Sequence, residues 1–165
     1  STDFAWKGLR TIIRALPLIQ GNPHLVVVGP GTPQSYLSEA EPAVRNRISF
    51  LGFQNVIEDC YRGADVFVFP SCRESFGLSV LEAMASGLPV VCTRGLGVED
   101  ILEEGKNALL LNDCTDTKEL ADKVNTLTTA GGRDMGIAAR RTAEAHAWPA
   151  IAARVRQVYE SCLRR

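Results

Sequence analysis

Short apolar runs alternate along the chain with longer stretches in which apolar residues recur at helical spacing. The runs have the length of buried strands and lie near residues 25–29, 48–51, 66–69, 89–92 and 108–111. The longer stretches predict helices near residues 34–44, 55–62, 76–86 and 98–104. A first helix near residues 9–19 should tighten or kink at Pro17, and three more helices close the chain near residues 116–129, 133–145 and 149–163. Strands that alternate with helices indicate parallel β-α-β units and hence an α/β fold.

The composition is that of one globular domain. With 165 residues and 45% hydrophobic residues the chain can bury an ordinary core, and no internal repeat or linker suggests a boundary within it. A formal net charge of −1 supplies no basic field for nucleic acid or anionic lipid. The apolar runs are strand-sized, so neither a transmembrane segment nor a signal-like start is expected.

The cysteines predict free thiols in a reducing compartment. They are odd in number and widely spaced, without a C-x-x-C pair: Cys60, Cys72, Cys92, Cys114 and Cys162. Cys72 lies in the loop before a helix, where thiol reactivity could be raised, but we predict a filler role for it. The two histidines, His24 and His146, have no metal-ligand spacing, so no structural zinc is expected.

The stretch 70–91 is the most informative part of the sequence. It follows a buried strand at 66–69, turns between Pro70 and Ser75, and continues as a helix from Phe76 that closes at Gly87 and Pro89. Ligands of open α/β sheets bind at such strand-to-helix junctions. The first helical amides have no internal partners, so an anion such as a diphosphate is favoured there.

Two carboxylates flank the start of this helix, eight positions apart. The side chain of Glu82 should lean back toward the amino end of the helix, where it could accept hydrogen bonds from a ribose diol beside the diphosphate. Glu74, ahead of the first turn, could reach the opposite end of the ligand. The alternative is that Glu74 only complements the helix dipole and Glu82 is a solvated surface acid.

The whole pattern resembles the donor-binding motif of the retaining GT-B glycosyltransferases known as the glycosyltransferase 4 group. Glu74 and Glu82 match the E-x7-E signature of that family, and Lys7-Gly8 resembles its Lys-Gly helix start. The resemblance implies that Lys7 neutralises the donor diphosphate and that Glu74 fixes the sugar, both as catalytic residues. It implies further donor contacts around the helix start, at Ser75, Phe76, Gly77, Leu78 and Ser79.

Two upstream segments extend the resemblance. Gly29 and Gly31 match the glycine loop after the second strand of the family, and Phe53 with Gln54 match the loop that approaches the base. As a dinucleotide fingerprint the glycine loop is weak, because position 34 is Gln and the third glycine is missing. A further glycine-rich loop at 93–100 either closes over the sugar or simply connects to a short helix.

One departure from the family concerns the beginning of the chain. The family has a strand before the Lys-Gly start, with an arginine that also grips the diphosphate, and residues 1–6 have room for neither. The resemblance therefore implies that residues 1–165 are a carboxyl-terminal nucleotide-sugar-binding domain, without its first strand and without the amino-terminal acceptor domain. In a Rossmann-like doubly wound parallel sheet with helices on both faces that strand is central, so its absence would leave a gap unless another segment fills it.

The implied activity is transfer of a sugar, with retention, from a UDP- or GDP-linked donor to a glycan, lipid or other acceptor. UDP is favoured, and no metal or cofactor is expected. A cytoplasmic protein is expected, at the inner face of the membrane if the missing half contacts lipid, and the isolated domain should be inactive. The alternatives are a GT-B epimerase, a phosphorylase, which would need a lysine-bound pyridoxal phosphate, and a non-catalytic binding module. A glycosidase is disfavoured because no second acid converges with Glu74.

Overall fold

The structure, a computed structural model, describes residues 4 and 6–163. Its five strands are β1 (Leu25–Val28), β2 (Ile48–Gly52), β3 (Phe67–Phe69), β4 (Val90–Thr93) and β5 (Leu109–Leu111). Its α-helices are α1 (Leu9–Ala15), α2 (Gln34–Glu39), α3 (Pro42–Arg45), α4 (Ile57–Arg62), α5 (Leu78–Ala85), α6 (Thr117–Thr126), α7 (Gly132–Ala145) and α8 (Trp148–Leu163). Strands alternate with helices as the hydrophobic pattern predicts.

The strands form two parallel sheets in the part of the chain that the structure describes. One has the order β1-β2 and the other β3-β4-β5, and every pairing is parallel. No strand pairing joins the two sheets in the described residues. Leu25 of β1 and Val68 of β3 pack against the same apolar cluster, so one core joins the two sheets.

Apolar side chains cover both faces of the three-stranded sheet. On β4, Val90 and Cys92 pack among residues of α5 and α7, whereas Val91 faces residues of α1 and α6. Successive side chains of a strand point to opposite faces, so a strand that is apolar at every position is buried on both sides. Helices on both faces of a parallel sheet confirm the predicted Rossmann-like arrangement.

Several helix boundaries differ from the predictions. The helix predicted at 34–44 is split into α2 and α3, because Pro42 disfavours helical backbone at Glu41, whose ψ is 141°. The short helix predicted at 98–104 is a 3₁₀ turn over Gly97–Ile101, and the helix at 116–129 ends at Thr126 and continues as a π-helical turn into α7. The first helix tightens into a 3₁₀ turn at Leu16–Leu18, as Pro17 predicts.

The last helix, α8, stands apart from the core. None of its residues is buried, and Trp148, Tyr159 and Leu163 expose 76%, 67% and 86% of their surface. The core therefore ends at α7. None of the helices in the described residues is long and apolar enough to span a bilayer.

Candidate functional site

The amino end of α5 lies at the carboxyl edge of β3, as the sequence predicts. The helix begins at Leu78, two residues later than predicted, because Gly77 adopts a left-handed backbone with φ 99° as its N-cap. A side chain at that φ would be strained, which explains glycine in the motif. Phe76 and Leu78 are exposed at 40% and 53%, and Ser75 is exposed as well, so this edge faces solvent.

The segment that precedes α1 is docked against the loop that follows β3. The Trp6 carbonyl oxygen accepts hydrogen bonds from the Cys72 amide at 3.1 Å and from the buried Ser71 hydroxyl at 2.9 Å. Gly8, with φ 75°, lies so close to Pro70 that a Cβ would overlap the Pro70 carbonyl oxygen. Gly8 therefore permits the contact that brings the lysine beside it to the motif.

This docking pairs Lys7 with Glu74, 67 positions away, through a hydrogen-bonded ion pair. The hydrogen bond from Lys7 holds the pKa of Glu74 below its usual range, with smaller contributions from the Ser75 and Phe76 amides. The Lys7 Nζ atom also lies 5.1 Å from the centroid of the Phe69 ring, within cation–π range. The predicted catalytic pair therefore converges at the amino end of α5.

Glu82 has a partner that the sequence did not suggest. The Tyr61 hydroxyl, from α4, donates a hydrogen bond to Glu82 Oε2 at 3.0 Å. Burial, together with the Glu82 charge, raises the pKa of Tyr61, so the phenol keeps its proton and orients the carboxylate. In the described chain Tyr61 is the only residue that donates to the Glu82 side chain, so Oε1 is available. The sequence analysis missed Tyr61 because a tyrosine near the end of a short helix looks like an ordinary core residue.

The predicted glycine loop and base loop are neighbours. They follow the paired strands β1 and β2, and the Gly29 amide donates to the Gly52 carbonyl at 2.8 Å. Phe53 exposes 73% of its surface, and the Gln54 side chain donates to the Leu51 carbonyl at 2.7 Å. The loop therefore offers backbone groups and one aromatic ring to solvent.

An aromatic ring covers the glycine loop, which the sequence analysis missed. Phe4 packs so tightly on Gly31 that a Cβ there would overlap the ring, and the ring also approaches Gly29. Its centroid lies 6.0 Å from that of Tyr36 and 6.2 Å from that of Phe50, both edge-on. In this structure the glycines therefore contact an aromatic side chain, and their contact with a ligand stays a prediction.

The loop at 93–100 supports the motif from a second side. Gly97 lies against the Ser75 carbonyl, so that a Cβ would overlap it, and the Val98 amide donates to the Phe76 carbonyl at 2.8 Å. The Ser79 carbonyl faces the Tyr61 hydroxyl at 3.5 Å. The backbone around the helix start is therefore held by two other segments of the chain.

The prediction that Cys72 is a filler with a free thiol is wrong. Cys72 forms a disulfide with Cys114, with 5.3 Å between the two Cα atoms. Each cysteine lies three residues after its strand, β3 or β5. Sequence alone could not show that both loops meet, because their strands are separated by β4 in the sheet. Cys60, Cys92 and Cys162 are free.

The described residues contain no group of three or more metal-binding side chains. Shallow depressions lie on α6 and on α8, and neither is lined by residues 70–75, which we call the motif loop. The motif offers the cation of Lys7, the carboxylates of Glu74 and Glu82, and backbone amides on an open edge.

The family described as glycosyl transferases group 1 matches residues 2–130. The D-inositol 3-phosphate glycosyltransferase of Corynebacterium glutamicum is 33% identical over 173 aligned residues, which cover 96% of this chain and 41% of that protein. The crystal structure of HepE from Anabaena with UDP and glucose superimposes with a TM-score of 0.80 at 26% identity, covering 96% of this chain and 45% of that one.

A solved carboxyl-terminal domain of the group 1 protein LpcC from Francisella tularensis gives a TM-score of 0.72 at 27% identity, covering 84% of this chain and 78% of that one. This chain spans less than half the length of the two longer relatives. The match over 2–130, the fold and the convergence of Lys7 with Glu74 agree, and the chain belongs to the group 1 glycosyl transferases, which have the GT-B fold.

Proposed function

We propose that the chain is the donor-binding, carboxyl-terminal domain of a retaining glycosyltransferase, and that its donor is a UDP-linked hexose. The observation that carries the proposal is the meeting of Lys7 and Glu74 at the amino end of α5. The Lys7 side chain is 41% exposed and that of Glu74 is 18% exposed, so the pair lies at the edge of the domain and not in its core. Surface ion pairs contribute little to stability, so a ligand-binding role explains the arrangement better.

The charges suit a donor whose bond to the sugar breaks at a diphosphate. Negative charge grows on the leaving diphosphate, and a lysine together with helix amides stabilises it electrostatically. Lys7 uses part of its donor capacity on Glu74 and keeps the rest for a phosphate oxygen. Glu74, acceptor-only when ionised, is suited to the sugar hydroxyls rather than to the phosphates.

Glu82 suits the ribose. Its Oε2 atom is oriented by Tyr61, which leaves Oε1 for a hydroxyl group. UDP is favoured because HepE, to which this chain is similar, was solved with UDP and glucose and also with UDP-glucose. The backbone groups of the loop at Phe53 and Gln54 would line the base.

Transfer would need an acceptor-binding part that relatives of about twice this length have room for. We place the protein in the cytoplasm, where nucleotide sugars are made, and expect no bound metal or cofactor. The isolated chain should bind donor weakly and transfer little, because half of the cleft is outside it.

Titration calorimetry tests the proposal with UDP, UDP-glucose, GDP and NAD on the same protein. We expect UDP to bind better than GDP, and NAD not to bind. The variant Lys7→Ala should weaken the binding of UDP. Its matched control is Lys118→Ala, which removes an exposed lysine that is also paired to a carboxylate, Asp122, at 2.9 Å. Absence of binding by both UDP and GDP, or preferential binding of NAD, would contradict a sugar-nucleotide site.

A further inference from the structure

The Cys72–Cys114 disulfide joins two loops at the carboxyl edge of the three-stranded sheet. In the strand order β3-β4-β5 the two cysteines follow the outer strands, so the bridge crosses the end of β4. Neighbouring strands lie about 4.8 Å apart, which separates β3 from β5 by roughly 10 Å. The Cα atoms of the two cysteines are only 5.3 Å apart, so the loops converge over β4. We name this bridge the Cys72–Cys114 clasp.

A buried hydroxyl lies at the end of β4, between the strands whose loops the clasp joins. Thr93 is the last residue of β4 and is 7% exposed. Its Oγ1 is the one buried side-chain oxygen or nitrogen in the described residues that has no hydrogen-bond partner. Buried polar groups are nearly always paired, and an unpaired one costs stability.

The clasp is mechanically connected to the donor site. The amide of Cys72 donates a hydrogen bond to the carbonyl oxygen of Trp6, the residue before Lys7. Glu74 follows Cys72 by two residues. On the other side, the Thr11 hydroxyl of α1 donates to the Cys114 carbonyl at 2.9 Å. Movement of either cysteine would therefore disturb the loop that carries Glu74 and the start of α1, which follows Lys7 by two residues.

The disulfide is accessible to a reductant. Cys72 is exposed and Cys114 is partly exposed, whereas Cys92 is fully buried. In a reducing compartment the disulfides that do form are mostly transient or redox-sensing, and exposed ones are the labile class. The location we propose for the protein is such a compartment.

We propose that the Cys72–Cys114 clasp is a thiol–disulfide exchange site at which a dithiol reductant opens the motif loop and weakens donor binding. The effect on donor binding rests on the proposed function, whereas the effect on the loop does not. With the clasp closed, the loop is held in the conformation that pairs Glu74 with Lys7. With the clasp open, ligand binding has to order the loop, which lowers affinity.

The exchange follows ordinary disulfide chemistry. One thiolate of the dithiol attacks the sulfur of the exposed residue Cys72, the bond to Cys114 breaks, and Cys114 leaves as a thiolate that takes up a proton. The second thiol of the reductant then attacks the mixed disulfide and releases Cys72. Two electrons pass from the dithiol, which becomes a disulfide, to the two cysteines.

The experiment uses a variant in which only the clasp cysteines supply accessible thiols on reduction and only Trp6 supplies tryptophan fluorescence. Cys60→Ser and Cys162→Ser remove the other accessible thiols, and Cys92 stays silent because burial raises the pKa of its thiol to about 12. Trp148→Phe leaves Trp6 as the only tryptophan of the two. Trp6 adjoins the clasp, and the guanidinium of Arg73 lies 5.3 Å from its ring. The matched control adds Cys72→Ser and Cys114→Ser.

In the folded protein, dithiothreitol should release two reactive thiols per chain and shift the Trp6 emission to the red. It should also lower the affinity for UDP roughly tenfold, which corresponds to the cost of ordering about one more residue on binding. The melting midpoint should fall by about 5 to 15 °C. The control should behave like the reduced protein in the absence of reductant and respond to none of these treatments.

Three results would overturn the proposal: no thiols released from air-oxidised protein, thiols released with Trp6 emission unchanged, or UDP affinity equal in both forms. The last leaves the proposed function intact. If UDP binds neither form, the proposed function is overturned. The effect of the clasp on the loop is then tested by the shift of Trp6 emission and of the melting midpoint on reduction.

Discussion

Glu74 and Glu82 occupy different surroundings, and this difference predicts different losses on mutation. Glu74 is ion-paired with Lys7, whereas Glu82 is held by the phenol of Tyr61. If Glu82 binds the ribose, Glu82→Gln should weaken UDP and UDP-glucose equally, by about 1 to 3 kcal/mol. Glu74→Gln should leave UDP affinity nearly intact and weaken UDP-glucose alone. Calorimetry with both ligands measures the two patterns.

Two further variants sharpen this comparison. Lys7→Ala should weaken both ligands and reduce the salt dependence of binding, since its charge acts on the diphosphate. Glu144→Gln is the control, because Glu144 pairs with Arg140 on the exposed face of α7. Unchanged affinity for both ligands in the Glu74 and Glu82 variants would contradict the binding roles. Glu74 would then only complement the helix dipole, and Glu82 would be a surface acid.

The ion pair also predicts a pH dependence of stability. The pKa of Glu74 is lowered in the folded protein, chiefly by the hydrogen bond from Lys7. A lowered folded-state pKa adds stability above the unfolded pKa, about 4.3, and that stability is lost as the pH falls through the folded value. Wild type should therefore exceed Glu74→Gln by up to about 1 kcal/mol at pH 5 to 7. Urea unfolding should show this difference shrink progressively as the pH falls below about 4.3, and parallel curves over the whole range would contradict it.

The junction between α1 and the motif loop depends on one glycine. Gly8 has φ 75°, and a Cβ there would overlap the backbone of Pro70. Gly21 is the matched control, because it has φ 79° and a Cβ there would meet no neighbouring atom within 4 Å. Gly21→Ala should cost about 1 to 2 kcal/mol for the left-handed backbone. Gly8→Ala should cost about 1 to 3 kcal/mol more, because the backbone has to shift.

Urea unfolding of the two alanine variants separates these contributions, and UDP binding gives a second measurement. Affinity should fall for Gly8→Ala alone, since only that change displaces the lysine beside the motif. Equal losses of stability in the two variants would show that the backbone near Pro70 can shift to accept a Cβ at position 8 without a loss of stability.

At the scale of the whole molecule, α8 contributes little to the stability of this chain. None of its residues is buried, in contrast to α7, where Met135, Ala139 and Ala143 pack in the core. Ending the chain after Ala147 should therefore change the melting midpoint by less than about 3 °C, since lost burial determines the cost of a truncation. A larger drop in differential scanning calorimetry would mean that α8 packs on the domain in solution.

Much of the fold and of the site followed from local patterns. Apolar runs predict the five strands because a strand buried on both faces must be apolar at successive positions. The helix after β3 and the interest of Glu74 followed from the residue pattern, and Lys7 followed from the resemblance, since each lies in a short contiguous motif; their roles stay predictions. Pro42 shows a limit: it splits a predicted helix although the periodicity on either side is helical.

The tertiary structure decided which distant residues meet. Tyr61 reaches Glu82 across the contact between α4 and α5, and Phe4 covers Gly31 from a position far ahead of it in the chain. No residue pattern specifies either contact, since both arise from the placement of whole elements. The same holds for Cys72 and Cys114, which follow strands on opposite sides of β4 and meet only because their loops converge over it.

The sequence by itself thus determined the order of strands and helices, the chemistry of the motif and the family, because hydrophobic period and contiguous motifs are properties of neighbours in the chain. Only the tertiary structure decided that the strands form two sheets, β1-β2 and β3-β4-β5, and that a disulfide crosses β4. Strand pairing and disulfide pairing are contacts between residues far apart in sequence, and their partners are set by the packing of the whole core.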